Sequence, residues 1–157
     1  MNRRRAGAVG QGVTVAADPR HPRTTPAAVA LRLLAAAGLG ISAYVHLHLA
    51  HRYATVPHDT IGQDDLFYAQ GVIAAVVGLW LLVTGHRFAW WAAALVGASS
   101  FGAVMLYRYV DVGSLGPLPN MTDMSWQPSP DKLLSAVAEA AVVVVWLVDE
   151  VRRRARR

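Results

Sequence analysis

Three runs without a single Asp, Glu, Lys or Arg dominate the chain: residues 33–50, 66–84 and 88–107, of 18, 19 and 20 residues. A fourth run, residues 133–148, is interrupted only by Glu139. About 20 helical residues cross the roughly 30 Å of hydrocarbon in a bilayer. The pattern therefore predicts an all-α fold, a four-transmembrane-helix bundle with spans at about 29–50, 66–84, 88–109 and 131–149. Helix punctuation agrees. Thr25-Pro26 and Ser129-Pro130-Asp131 each offer an N-cap followed by proline at the first helical position, which lengthens the short fourth run. Gly85-His86-Arg87 is so short a turn that spans two and three must be antiparallel neighbours.

Composition narrows the class. Of 157 residues 54% are hydrophobic and 16% charged, against about 25% charged in a soluble domain. Four spans leave room for one membrane domain, 26–150, flanked by a basic tail at 1–25, rich in Gly and Pro and expected to be disordered, and a second basic tail at 151–157. The absence of cysteine excludes disulfides, thiolate nucleophiles and Cys-ligated metal.

The net charge of +5 has a topological cause rather than a nucleic-acid partner. Arg3, Arg4, Arg5, Arg20, Arg23, Arg32 and Arg87, with Arg152, Arg153, Arg154, Arg156 and Arg157, put 12 of 15 basic residues on one side; only Arg52, Arg108 and Lys132 lie opposite. The positive-inside rule then places both termini in the cytoplasm. Residues 6–26 lack the apolar run of a secretory leader, so the first span is expected to be an uncleaved anchor. The tail arginines could also touch anionic headgroups.

Small residues four apart, Ala36 with Gly40, Ala74 with Gly78, Ala93 with Gly97 and Ala98 with Gly102, allow close helix packing in lipid. Against that apolar background the polar residues stand out, because an ionisable group at mid-helix costs roughly 2.5–3.5 kcal/mol to insert. Asp131, Ser135 and Glu139 fall on one stripe, with Glu139 about 12 Å below Asp131. In the first span Tyr44, His48 and His51 share a face, while His46 points roughly opposite to His48. Gln70 in span two and Arg108 at the end of span three lie at the same outer level. A polar layer of His46, His48, His51, Gln70, Arg108 and Glu139, with tyrosines including Tyr44 around it, is expected on the extracytoplasmic side. The plainer reading makes Arg108 and the tyrosines interfacial anchors and Glu139 one structural hydrogen bond. The sharper one is a ligand or ion site: copper or zinc on His46, His48 or His51 with Glu139, Met121 and Met124 adding sulfur for Cu(I), or a haem on a histidine. The spacing of the histidines alone is a weak metal signal. The turn-rich outer connection at 111–129, carrying Trp126, is expected to fold back as a partly ordered cap.

LHLAHRY closing the first span, IGQDDLFYAQGV opening the second and YRYVDVGSLGPLPNM leaving the third together resemble a family of small uncharacterised four-span membrane proteins of high-GC Gram-positive bacteria, over about residues 28–150. The resemblance implies a bacterial plasma-membrane location, in keeping with 14 Arg to one Lys, and brings no activity with it. A looser likeness to DoxX-like four-helix proteins lies in size and number of spans only. Three functions follow. The first is a binding or accessory subunit holding an ion, metal, haem, lipid or quinone in the outer polar layer, with a membrane-protein partner or a second copy beside it in the bilayer. The second is a small proton- or ion-coupled transporter using Glu139. The third is a membrane-embedded enzyme with Glu139 and a histidine as acid and base, which no nucleophile elbow, phosphate loop or zinc-helix motif supports.

Overall fold

A computed structural model describes residues 25–57, 60–114, 116–122, 124 and 130–156. Its elements are four helices, α1 (Pro26–Tyr53), α2 (Gln63–Thr84), α3 (Arg87–Tyr109) and α4 (Pro130–Arg154). Of these α1, α2 and α3 are long and apolar enough to cross a membrane. Helix α4 falls short in composition rather than length: its 25 residues span about 37 Å, but acids and bases crowd both ends and Glu139 lies between. Apart from Thr25, the N-terminal tail lies outside the described residues, as do Trp126 and Ser129.

Helices α1, α2 and α3 start where local chemistry satisfies free N–H groups. Thr25 Oγ1 accepts from the Ala28 N–H at 3.4 Å, with Pro26 in the first turn. Helix α2 begins three residues before the apolar run because the Asp65 carboxylate reaches back to the Gly62 N–H at 3.0 Å. His86 Nδ1 caps α3 by accepting from Phe88 N–H at 3.3 Å. Between them Gly85, with φ +57°, closes α2 in the left-handed conformation.

Neighbouring helices run antiparallel and meet in the order α1–α2–α3–α4–α1. Glycines set the closest approaches. A Cβ at Gly38 would lie 2.7 Å from Val142 Cγ2 and 3.1 Å from the Ala138 carbonyl oxygen, and one at Gly97 would lie 3.0 Å from the Glu139 carbonyl oxygen. Gly71 and Gly78 bring α2 against Leu47 and Leu39 of α1 in the same way. Of the small pairs in the sequence, Gly78 and Gly97 serve these contacts, whereas Gly40 and Gly102 face open space.

The four helices differ in packing along their length. At the end carrying the Gly85 turn, Leu39, Leu81, Trp90, Ala93 and Val142 form a closed core, and Trp91 meets Trp146 edge to face at 4.7 Å. Arg153 pairs with Asp149 and Arg154 with Glu150 at this end. Large apolar side chains such as Leu34, Val76, Val83, Phe88, Leu95 and Val144 point outward, so the outer surface is as apolar as the core, as lipid contact requires and water would penalise. Towards the opposite end, where the α1–α2 and α3–α4 connections lie, the helices part around a cavity.

Candidate functional site

The closed end of the cavity is built by side chains that α1 and α4 turn toward each other. On α1 the inward stripe runs Ala35, Leu39, Ser42, His46, and on α4 it runs Ser135, Glu139, Val142. Glu139 is 0% exposed. Its Oε1 accepts from Ser135 Oγ at 2.7 Å and from Ser42 Oγ at 2.9 Å, while Oε2 is enclosed with no hydrogen-bond partner among the described residues. His46 lies against the same group: Nδ1 is 2.8 Å from the Ser42 carbonyl oxygen, 3.4 Å from Ser42 Oγ and 3.9 Å from Glu139 Oε1. Since a carbonyl oxygen only accepts, the 2.8 Å contact places a hydrogen on Nδ1.

Above this floor lies a cavity of about 790 Å³, inside the usual range for small-molecule sites. Its α2 wall is Gln63, Leu66, Phe67 and Gln70, one helical stripe, and its α3 wall includes Ser100, Ala103, Val104 and Tyr107. Gln70 donates to Ser100 Oγ, tying α2 to α3 at the floor. Three rings climb the α1–α2 side: His46 to Phe67 at 5.9 Å, then Phe67 to Tyr53 at 5.5 Å. Arg52, Arg108 and Lys132 with Asp131 bring three cations and one carboxylate to the cavity walls. Arg52 reaches Asp131 at 3.4 Å, and Arg108 lies 5.0 Å over the Tyr109 ring.

Residues 117–122 of the α3–α4 connection lie against this opening. Gln63 Nε2 donates to the Asn120 carbonyl at 2.8 Å and Thr60 Oγ1 to that of Pro117 at 3.4 Å, while Thr122 Oγ1 donates to Asp111 at 3.1 Å. Met121 and Thr122 thereby become part of the cavity wall.

Of the residues singled out from sequence, the structure gathers His46, Gln70, Arg108, Asp131 and Ser135 around the cavity, with Glu139 beneath it. It turns Tyr44, His48 and His51 away. Tyr44 is 66% exposed and stacks on His48 at 6.1 Å, and His51 is exposed too. The three histidines therefore do not converge, and no group of three or more His, Cys, Asp or Glu with metal-binding geometry occurs among the described residues. The reason is register: His46 follows Ser42 by one turn on the packed stripe, whereas Tyr44, His48 and His51 occupy the opposite, outward face. Met124 is also exposed, apart from Met121 in the wall. Sequence reasoning passed over Ser42 and Ser100, although Ser42 precedes His46 by four residues and could have been placed on its face. The chain matches no family model, no curated protein and no solved structure.

Proposed function

We infer that this chain is a multi-pass bacterial plasma-membrane protein whose four helices all cross the bilayer with both termini in the cytoplasm, and that it binds a small amphipathic ligand in its extracytoplasmic half. One observation carries the reading: the helices are closely packed at the turn end yet part at the loop end around about 790 Å³ of mixed polar and apolar wall. Helix α4 crosses as the fourth member because Leu133, Val137, Val144 and Val148 face outward while Glu139 is sheltered by its neighbours. The distribution of arginines supports the orientation.

Binding is better supported than conduction. From Glu139 to Asp149 is about 15 Å along α4, and residues 140–148 between them carry no ionisable side chain. The partners facing them in the closed core are apolar too. A coupled carrier needs a second polar station there; the floor at Glu139 is instead the closed end of a pocket. As an accessory subunit, the protein would present or store its ligand for a membrane partner.

Single cysteines report directly on this arrangement because the chain has none of its own. In intact cells a charged, membrane-impermeant thiol reagent should label Thr122→Cys and Ala103→Cys, label Ala155→Cys only after permeabilisation, and leave Ala93→Cys in the core unlabelled. Labelling of Ala155→Cys in intact cells would overturn the orientation, and an unreactive Ala103→Cys would overturn the open cavity.

A further inference from the structure

The floor presents one defined recognition atom. With its Nδ1 hydrogen directed at the Ser42 carbonyl, a neutral His46 has its lone pair on Nε2, which makes no hydrogen bond among the described residues, and the ring lines the cavity. The Ser42 backbone carbonyl sets this tautomer by accepting the Nδ1 hydrogen. The Ser42 hydroxyl hydrogen goes to Glu139 Oε1, so Ser42 Oγ turns a lone pair to the Nδ1 side, and the chain of donors runs one way, Nδ1–H to Ser42 to Glu139. A second hydroxyl, from Ser135, holds the same carboxyl oxygen in place. The logic is that of a backbone carbonyl fixing which ring nitrogen carries the hydrogen, with the Ser42 and Ser135 hydroxyls held on Glu139 beneath it.

The surroundings of that acceptor select a shape. Phe67 lies 5.9 Å from His46 and Tyr53 5.5 Å from Phe67, each tilted by more than 50°, so an added ring finds faces and edges to pack on. Leu66, Val104 and Met121 add apolar wall suited to an alkyl chain, alongside Arg52, Arg108, Lys132 and Asp131. We propose that the cavity takes an amphipathic aromatic alcohol of the phenol type, its ring against Phe67 and Tyr53 and its hydroxyl donating to His46 Nε2. The proposal rests on the cavity being a ligand site. It adds the class of ligand, and it assigns the Ser42 carbonyl the work of holding the hydrogen on Nδ1 of His46.

The test compares 4-octylphenol with 4-octylanisole, in which a methyl group replaces the hydroxyl hydrogen, on the full chain in lipid nanodiscs with empty discs as the blank. Wild type should bind the phenol about tenfold more tightly, the worth of one good hydrogen bond. His46→Phe should keep the anisole and lose the preference. In parallel, nitrogen NMR of ¹⁵N-histidine protein, with the His46 signals identified by their loss in His46→Phe, should show a protonated Nδ1 and a bare Nε2 that shifts on adding the phenol but not the anisole. Equal affinity for the two compounds, or a protonated Nε2 in the free protein, would overturn the inference while leaving the cavity standing. Failure of both compounds to bind would overturn the inference, and with labelled Ala103→Cys it would do so without touching the cavity's accessibility.

Discussion

Glu139→Lys should yield no folded, monodisperse protein, whereas Glu139→Gln should be recovered much as wild type. The carboxyl is completely enclosed, and its Oε1 is the shared acceptor for the Ser42 and Ser135 hydroxyls. Glutamine keeps an oxygen of the same reach and asks only that an amide occupy the place of Oε2, so its cost should stay within about 1–2 kcal/mol. Lysine removes the acceptor, lengthens a fully buried side chain whose own carbonyl already lies against Gly97, and puts a cation beside the Nδ1–H of His46. An uncompensated buried charge costs about 3–5 kcal/mol, a large share of the 5–15 kcal/mol of a typical domain. Size-exclusion profiles and thermal unfolding in detergent check both variants. A Glu139→Lys protein as stable as wild type would mean that α4 does not bury this face.

The second large effect comes from backbone proximity. Gly38→Leu should lower stability by about 3 kcal/mol or more, at the upper end of overpacking costs, and Gly40→Leu should change it by less than about 0.5 kcal/mol, as at an unencumbered surface site. The two glycines are two residues apart on the same apolar helix, yet a Cβ on Gly38 would strike Val142 and the Ala138 carbonyl while a Cβ on Gly40 meets nothing within 4 Å. Relief at Gly38 requires α1 and α4 to separate, and that separation would also break the Ser42–Glu139 hydrogen bond one turn away. Thermal melts of the two variants side by side read the difference. Equal melting temperatures would contradict the α1–α4 packing.

The contrast between Gly38 and Gly40 also shows what the sequence could disclose. Uncharged runs sufficed to locate α1, α2 and α3, and a proline and an acid after Ser129 to extend α4, because length and hydropathy are local properties. The inward face of α1 was not legible. A helix with Leu33, Leu34 and Ile41 outside and Leu39 and Val45 inside is apolar all round, so periodicity shows that His46 opposes His48 but not which of them faces protein. On α4 the same reasoning worked for Ser135 and Glu139, since polar residues there occupy one stripe. The cap over the cavity depends on hydrogen bonds from Gln63 and Thr60 to carbonyls 57 residues away, and main-chain acceptors leave no mark on composition. Ser42 was within reach, had it been read with His46 one turn on.

At the centre of the account is the proposal that the loop-end cavity holds a ligand, and native mass spectrometry of the protein released from its own membrane measures its occupancy directly. Wild type should carry a small-molecule adduct that disappears in the double variant Leu66→Trp, Ala103→Trp, whose indoles enter the opening from the α2 and α3 walls without disturbing Glu139. The adduct mass would then identify the ligand. Identical adduct spectra for wild type and the double variant, or no adduct on either, would contradict the account.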